Sequence, residues 1–365
     1  MPGEVISGSL LALFLYDVSD EISLDELRRV LRAPPAVRKP AFRQPAPEYV
    51  QFASPPVIET IQGITLGGRR WFGGQIAYYD YGVVSLKLEM PFEGSWQDLI
   101  ALSARWINEP ELERESQELV HRQLQHVAAV LVNPYRETLS EDYFIIHLDN
   151  VTAGGGPVPA SYLIEHCEDE IAQIVRGEVA RFSASERAEI LESRMSYYES
   201  DLLVVGWTAA LIYDTPEGAA PTIQLLEYAN TQLLEFRHYD AALTKLLAGV
   251  YRLLERRGTL FARWRLAREA DRLNAIRLDV RELTERVDNA IKFVSDMFAA
   301  RLFRIAAAKI GVPDYRTLVD QKLHSAAELY GFMMDRYYHG RALVVELTVV
   351  VILIIELVFL FRGSK

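Results

Sequence analysis

The chain has 365 residues, half of them hydrophobic and 24% charged, a composition that belongs to folded domains and excludes a largely disordered chain. Fifty Asp and Glu against 39 Lys and Arg leave a net charge of −11, which argues against general nucleic-acid binding through charge. The single cysteine, Cys167, excludes a disulfide framework and fits a reducing compartment.

The first residues contain an apolar run but no basic lead, and they carry Glu4, Asp17 and Asp20, so they read as a strand and not a signal peptide. Leu10 to Val18 is that strand. Ser23 to Glu26 has the spacing of a capping box and opens a helix with Leu24, Leu27, Val30 and Leu31 on one face. Prolines 34, 35, 40, 45, 47, 55 and 56 then preclude helix or central strand, which predicts an extended loop over residues 34–67. Gly67-Gly68 and Gly73-Gly74 lead into a hairpin with arms Gln75 to Tyr79 and Val83 to Met90. Ser95 to Asp98 caps a helix that runs to about Val132 with a break near Pro110, and Tyr143 to Leu148 is a further short strand.

That order, β-α-β-β-α-β, predicts an α+β fold with a ferredoxin-like head over residues 1–150. Residues 151–220 complete the head. They hold a helix from about Ala160 to Arg176, a second capped by Ser183 and Glu186, and the apolar run Leu202 to Tyr213, for which a buried strand is favoured over a buried helix. Asp214 to Gly218 is a turn.

Residues 221–341 are expected to form a long-helix stalk. One helix runs from about Thr222 to Arg256 and a second from about Leu260 to Ile310, stopped by Gly311 and Pro313. The second carries Leu273, Ile276, Val280, Leu283, Val287, Ala290, Val294 and Met297, the alternating steps of a coiled-coil seam. A third, from Asp314, repeats it with Tyr315, Val319, Leu323, Ala326, Tyr330, Met333 and Tyr337. Part of this seam is expected to be an antiparallel hairpin within one chain, and the surplus apolar surface points to a homo-oligomer. Arg256, Arg257, Arg263, Arg265 and Arg268, with Phe261 and Trp264 between them, form a basic elbow suited to anionic lipid headgroups or to a ribosomal or RNA partner.

The last segment, residues 342–361, is apolar except for Thr348, Glu346 and Glu356. As a helix it spans about 30 Å, the thickness of a bilayer core, so a single C-terminal transmembrane helix is expected. That places the chain in the inner (cytoplasmic) membrane with its bulk in the cytoplasm. Glu356 has no basic residue one turn away, so its carboxyl needs a partner on another helix, which again favours an oligomer.

Motifs that carry chemistry do not occur. The sequence has no G-x-x-x-x-G-K-[ST], no G-x-G-x-x-G after a strand, no G-x-S-x-G and no H-E-x-x-H. His166 and Cys167 are neighbours about 100° apart on a helix, too divergent for a base and its nucleophile. No catalytic, cofactor-binding or metal residue is therefore nominated, and no small-molecule substrate is expected.

Three stretches carry a resemblance: Glu346, nine residues LTVVVILII and then Glu356, led by Arg341 to Leu343; Tyr81 to Val84; and Asp214-Thr215-Pro216. On these the chain resembles the "required for meiotic nuclear division" family, although Leu347 stands where that family usually has tryptophan. The resemblance implies a C-terminally anchored homo-oligomeric membrane protein without established catalysis, whose mitochondrial relatives hold ribosomes near the inner membrane. The expectation is a non-enzymatic, membrane-anchored oligomeric scaffold or tether. The alternative is a channel or proton- or cation-handling assembly that uses Glu346 and Glu356.

Overall fold

The computed structural model describes residues 4–32, 55–154, 156–255, 272–285 and 297–362, with side chains described for all but 253–255, 332–348 and 355–362. The head is built on one large mixed sheet. Its strands are β1 (Val5–Ile22), β2 (Val57–Ile61), β5 (Gly73–Tyr78), β6 (Val83–Gly94), β7 (Leu131–Ala153), β8 (Gly156–Pro157), β9 (Leu202–Val205) and β10 (Ala209–Tyr213). The order is β2-β5-β6-β1-β7-β10-β9, with β8 on the end of β7. A separate two-stranded hairpin pairs β3 (Thr65–Leu66) with β4 (Arg69–Arg70).

β1 sits at the centre because its sequence has no polar side to give to water. From Leu10 to Tyr16 every residue is buried, the even-numbered ones against one face and Leu11, Leu13 and Leu15 against the other. It pairs antiparallel with β6 on one side and with β7 on the other. β7 in turn pairs in parallel with β10, which returns antiparallel to β9.

The helices beside the sheet are α1 (Leu24–Leu31), α2 (Trp96–Ile107), α3 (Pro110–His126), α4 (Ala160–His166), α5 (Glu168–Arg176) and α6 (Ala184–Leu191). The predicted capping box at Ser95 forms in full: its hydroxyl accepts from the Asp98 N–H, and the Asp98 carboxylate accepts from the Ser95 N–H. Pro110 does separate two helices, standing at the first turn of α3 where its missing N–H costs nothing. Ser23 precedes α1 without a side-chain cap, so that capping box does not form.

The long helices are α7 (Pro216–Glu255), α8 (residues 272–285), α9 (Met297–Lys309) and α10 (Val312–Arg362). By compactness the chain divides into one unit of Met1–His238 with Glu282–Arg316, and a second of Tyr239–Arg281 with Thr317–Lys365.

Two expectations are corrected. The head is not a ferredoxin-like unit: the strand expected to end it, Tyr143 to Leu148, is the middle of a 23-residue strand that is paired along both edges. A strand with a free parallel-pairing edge continues the sheet, so β10 and β9 extend it one way while β2 extends it beyond β5. The second correction concerns the membrane. Among the described residues no helix is long and apolar enough to cross one, so the transmembrane helix over 342–361, the tail anchor and the single-pass inner-membrane placement are not supported. The apolar stretch is instead the last part of α10, a helix of 51 residues whose earlier turns are charged and half-buried.

Candidate functional site

The helical unit holds the first candidate surface. Leu243, Leu246 and Val250 of α7, Leu273 and Val280 of α8, and Val319 and Ala326 of α10 are each at most 7% exposed. These positions stand at steps of three, four or seven, but the predicted seam is covered only in part: among the described residues Leu273, Val280, Leu283, Val319 and Ala326 are buried, Ile276, Tyr315, Leu323 and Tyr330 are half-buried, and Met297 is 88% exposed. Lys322 fastens α10 to α7, its Nζ lying 2.6 Å from Asp240 Oδ1 and 2.6 Å from Thr244 Oγ1.

Farther along α10 the cover ends. Val349, Val350, Val351, Ile352, Leu353 and Ile354 are 45–57% exposed. Successive helical residues step 100° around the axis, so six in a row put apolar surface on every face. The seam spacing nevertheless persists in the sequence: Tyr330, Met333, Tyr337, Gly340, Val344, Leu347, Val351, Ile354, Val358 and Phe361 keep steps of three and four. A register that is buried at Val319 and Ala326 is open at Val351 and Ile354.

The residues singled out from sequence fare differently. Glu346 and Glu356 lie on α10 with side chains outside the described residues. Arg256, Arg257, Arg263, Arg265 and Arg268 lie outside the described residues altogether, so the elbow is neither placed nor brought to either glutamate. Cys167 is a core thiol, 2% exposed, and burial pushes its pKa up to about 12.

A polar cluster that the sequence reading passed over lies where α7 crosses the end of β1. Asp17 is only 2% exposed, with its carboxyl against His238 Nδ1. Tyr135 of β7 stacks on the His238 ring at 4.8 Å and donates its hydroxyl to Asp20 at 2.7 Å. Next to it Arg237 ion-pairs with Glu141, and farther back Tyr81 meets Thr231 at 2.9 Å. The signal was available: one carboxylate inside the apolar run LLALFLYDV must be satisfied by something brought to it. An imidazole oriented by a carboxylate is half of a catalytic arrangement, but its neighbour here is a tyrosine already committed to Asp20, so the cluster reads as the clamp between α7 and the sheet.

Burial pushes the Asp17 carboxyl above the usual carboxylate range, against the lowering effect of His238. The folded state then holds a proton on Asp17 that the unfolded state has already released. Its contribution to stability is therefore greatest at acid pH and is lost as pH rises through the raised folded value. Asp17→Asn is expected to remove that decline, which is at most about 1.4 kcal/mol per pH unit for one proton. Urea midpoints taken from pH 4 to 7 check it, and parallel curves for the two proteins would exclude the assignment.

Among the described residues no group of His, Cys, Asp and Glu is arranged to hold a metal ion. The cleft beside β9 and α7, lined by Asp201, Tyr213, Thr222, Leu225 and Phe298, has a volume of about 40 Å³, far below the roughly 300 Å³ at which ligand sites begin.

Residues 7–220 match a family model described as the N-terminal domain of uncharacterized protein MJ0711. Uncharacterized protein MJ0711 from Methanocaldococcus jannaschii is 20% identical over 200 residues, covering 55% of this chain and 61% of its own length. The chain thus spans less than two thirds of that relative. No solved structure matches. Neither matching name refers to the "required for meiotic nuclear division" family. The matched region takes in nearly all of the sheet and the first turn of α7, and it ends before the helical unit.

Proposed function

The chain belongs to the MJ0711 N-terminal domain family, and from that premise we propose that it is a non-enzymatic oligomeric scaffold, a mixed α/β head with a helical arm through which copies associate. The family name assigns no activity. What carries the reading is the uncovered end of α10, where six consecutive aliphatic residues stand about half exposed while the same register earlier in the helix is buried. Single exposed apolar side chains are ordinary, but a contiguous all-round patch marks an association surface. A second copy presents the same aliphatic helix in the same register, which is the complement a seam requires. Covering half of six such side chains contributes on the order of 5 kcal/mol per copy before the entropy of association is subtracted.

Sedimentation equilibrium of the full chain in aqueous buffer tests this. The wild type is expected to self-associate in the micromolar range, and Val351→Glu with Ile354→Glu to sediment as a monomer. Both positions are exposed, so the variant's circular dichroism and thermal midpoint are expected to match the wild type. A monomeric wild type, or a doubly substituted chain of unchanged mass, would end the reading.

A further inference from the structure

We propose that the hairpin of β3 and β4 is a docking site for an acidic protein segment that carries an apolar side chain beside its carboxylates. Gly67-Gly68-Arg69-Arg70-Trp71-Phe72-Gly73-Gly74 is bracketed by glycine pairs. Gly67 and Gly68 both have positive φ, +59° and +69°, which closes the two-residue turn without a side-chain penalty. Leu66 and Trp71 turn inward at 4% and 2% exposure, leaving Arg70 and Phe72 on either side of Trp71 facing solvent. Phe72 is 83% exposed and makes no ring contact among the described residues. Arg69 and Arg70 are also exposed and make no ion pair among the described residues, in a chain that carries eleven excess negative charges.

This is not a floppy tip. Trp71 packs edge-on to Trp106 at 5.4 Å and donates its indole N–H to the Leu66 carbonyl at 3.2 Å. The Gly67 N–H is held by the Glu115 carboxylate of α3 at 2.7 Å, and the Phe72 N–H by the Glu89 carbonyl of β6 at 3.0 Å. An arginine and an aromatic ring on a pre-organised backbone are what binding hot spots are made of, because little backbone entropy is left to lose on docking.

Charge decides the class of partner. The hairpin rests on α3, whose Glu115 holds the Gly67 N–H, and the exposed Glu89 lies beside Gly73. A nucleic acid carries a negative charge on every nucleotide and meets these carboxylates as soon as it leaves the two arginines. A peptide can place its carboxylates at Arg69 and Arg70 alone and lay an apolar side chain on Phe72.

Fluorescence polarisation of a fluorescein-labelled decapeptide with two adjacent glutamates and one leucine in a glycine–serine background, titrated with the full chain, tests the site. The wild type is expected to bind it, while Phe72→Ala and Arg70→Glu each weaken binding by roughly tenfold. A decapeptide with lysine in place of glutamate is expected not to bind. If Arg70→Glu lowers the thermal midpoint, Arg70→Gln replaces it. The measurement is repeated on the Val351→Glu, Ile354→Glu chain, where affinity per chain is expected to be unchanged, so this result stands apart from self-association. Equal binding by wild type and variants, no binding of the acidic peptide, or tighter binding of a dodecamer of oligouridine would overturn the proposal.

Discussion

Gly82→Ala is expected to lower the unfolding free energy by about 3–5 kcal/mol, a large part of the ~5–15 kcal/mol that holds a typical domain together. Gly82 has φ +88°, a conformation that costs an L-residue about 1 kcal/mol by itself. The larger penalty is spatial. A Cβ at this position stands inside the van der Waals surface of the Ser19 carbonyl oxygen and 2.8 Å from the Ser19 carbonyl carbon. Neither atom can yield, because both belong to the backbone of β1, which is held to this turn by Val18 N–H to Gly82 O at 3.0 Å and Ile22 N–H to Asp80 O at 2.9 Å. Gly68→Ala is the control. Its φ is +69° but nothing lies within 4 Å of the added carbon, so only the conformational cost of about 1 kcal/mol is expected. Urea denaturation of the three proteins measures both effects. Equal losses at the two positions would show that close approach to β1 is not what Gly82 provides.

That turn also shows how far local pattern carries. The hairpin around Asp80-Tyr81-Gly82 could be placed from sequence because glycine supplies a backbone angle that few other residues take, and β1 because no polar residue interrupts Leu10 to Tyr16. Leu202 to Tyr213, favoured as one buried strand, is a hairpin of two, turned at Gly206, where a Cβ meets the Val175 side chain and the Ala209 carbonyl. An all-apolar run hides such a turn, since both arms are buried and period alone cannot mark the break.

The failures share a cause. β7 was expected as six residues and is 23, because its first half is polar and half-exposed and gains strand structure from pairing with β1, an interaction between residues far apart in the chain. The ferredoxin-like reading followed from that short estimate. The membrane reading came from composition at 342–361, where an aliphatic helix that a bilayer covers and one that another helix covers have the same sequence signature. The Asp17–His238 pair joins positions 221 residues apart, and only the need to satisfy a buried carboxylate hinted that a partner existed. Arg69 and Arg70 carry no motif in the sequence; what sets them apart is Trp71 anchoring the backbone between them and Phe72.

That anchor leads to the second large effect. Trp106→Ala is expected to cost about 3–5 kcal/mol and to weaken docking of the acidic decapeptide at temperatures where the head remains folded. Trp106 is 1% exposed; it lies on α2 against Trp71, and a Cβ at Gly67 would come within 2.6 Å of its ring. Alanine leaves a cavity directly beneath the turn of the hairpin, so Trp71 loses its edge-to-face partner and the β3–β4 backbone loses its support. Trp106→Phe separates packing from polarity. It retains an aromatic ring and removes an indole N–H that has no acceptor among the described residues, so it is expected to cost less than about 1.5 kcal/mol and to keep peptide affinity within about twofold. Thermal midpoints and peptide titrations on both variants make the comparison. If Trp106→Ala binds the peptide as the wild type does while Phe72→Ala does not, the arginine and phenylalanine act without a rigid support, and the hairpin's affinity cannot come from pre-organisation.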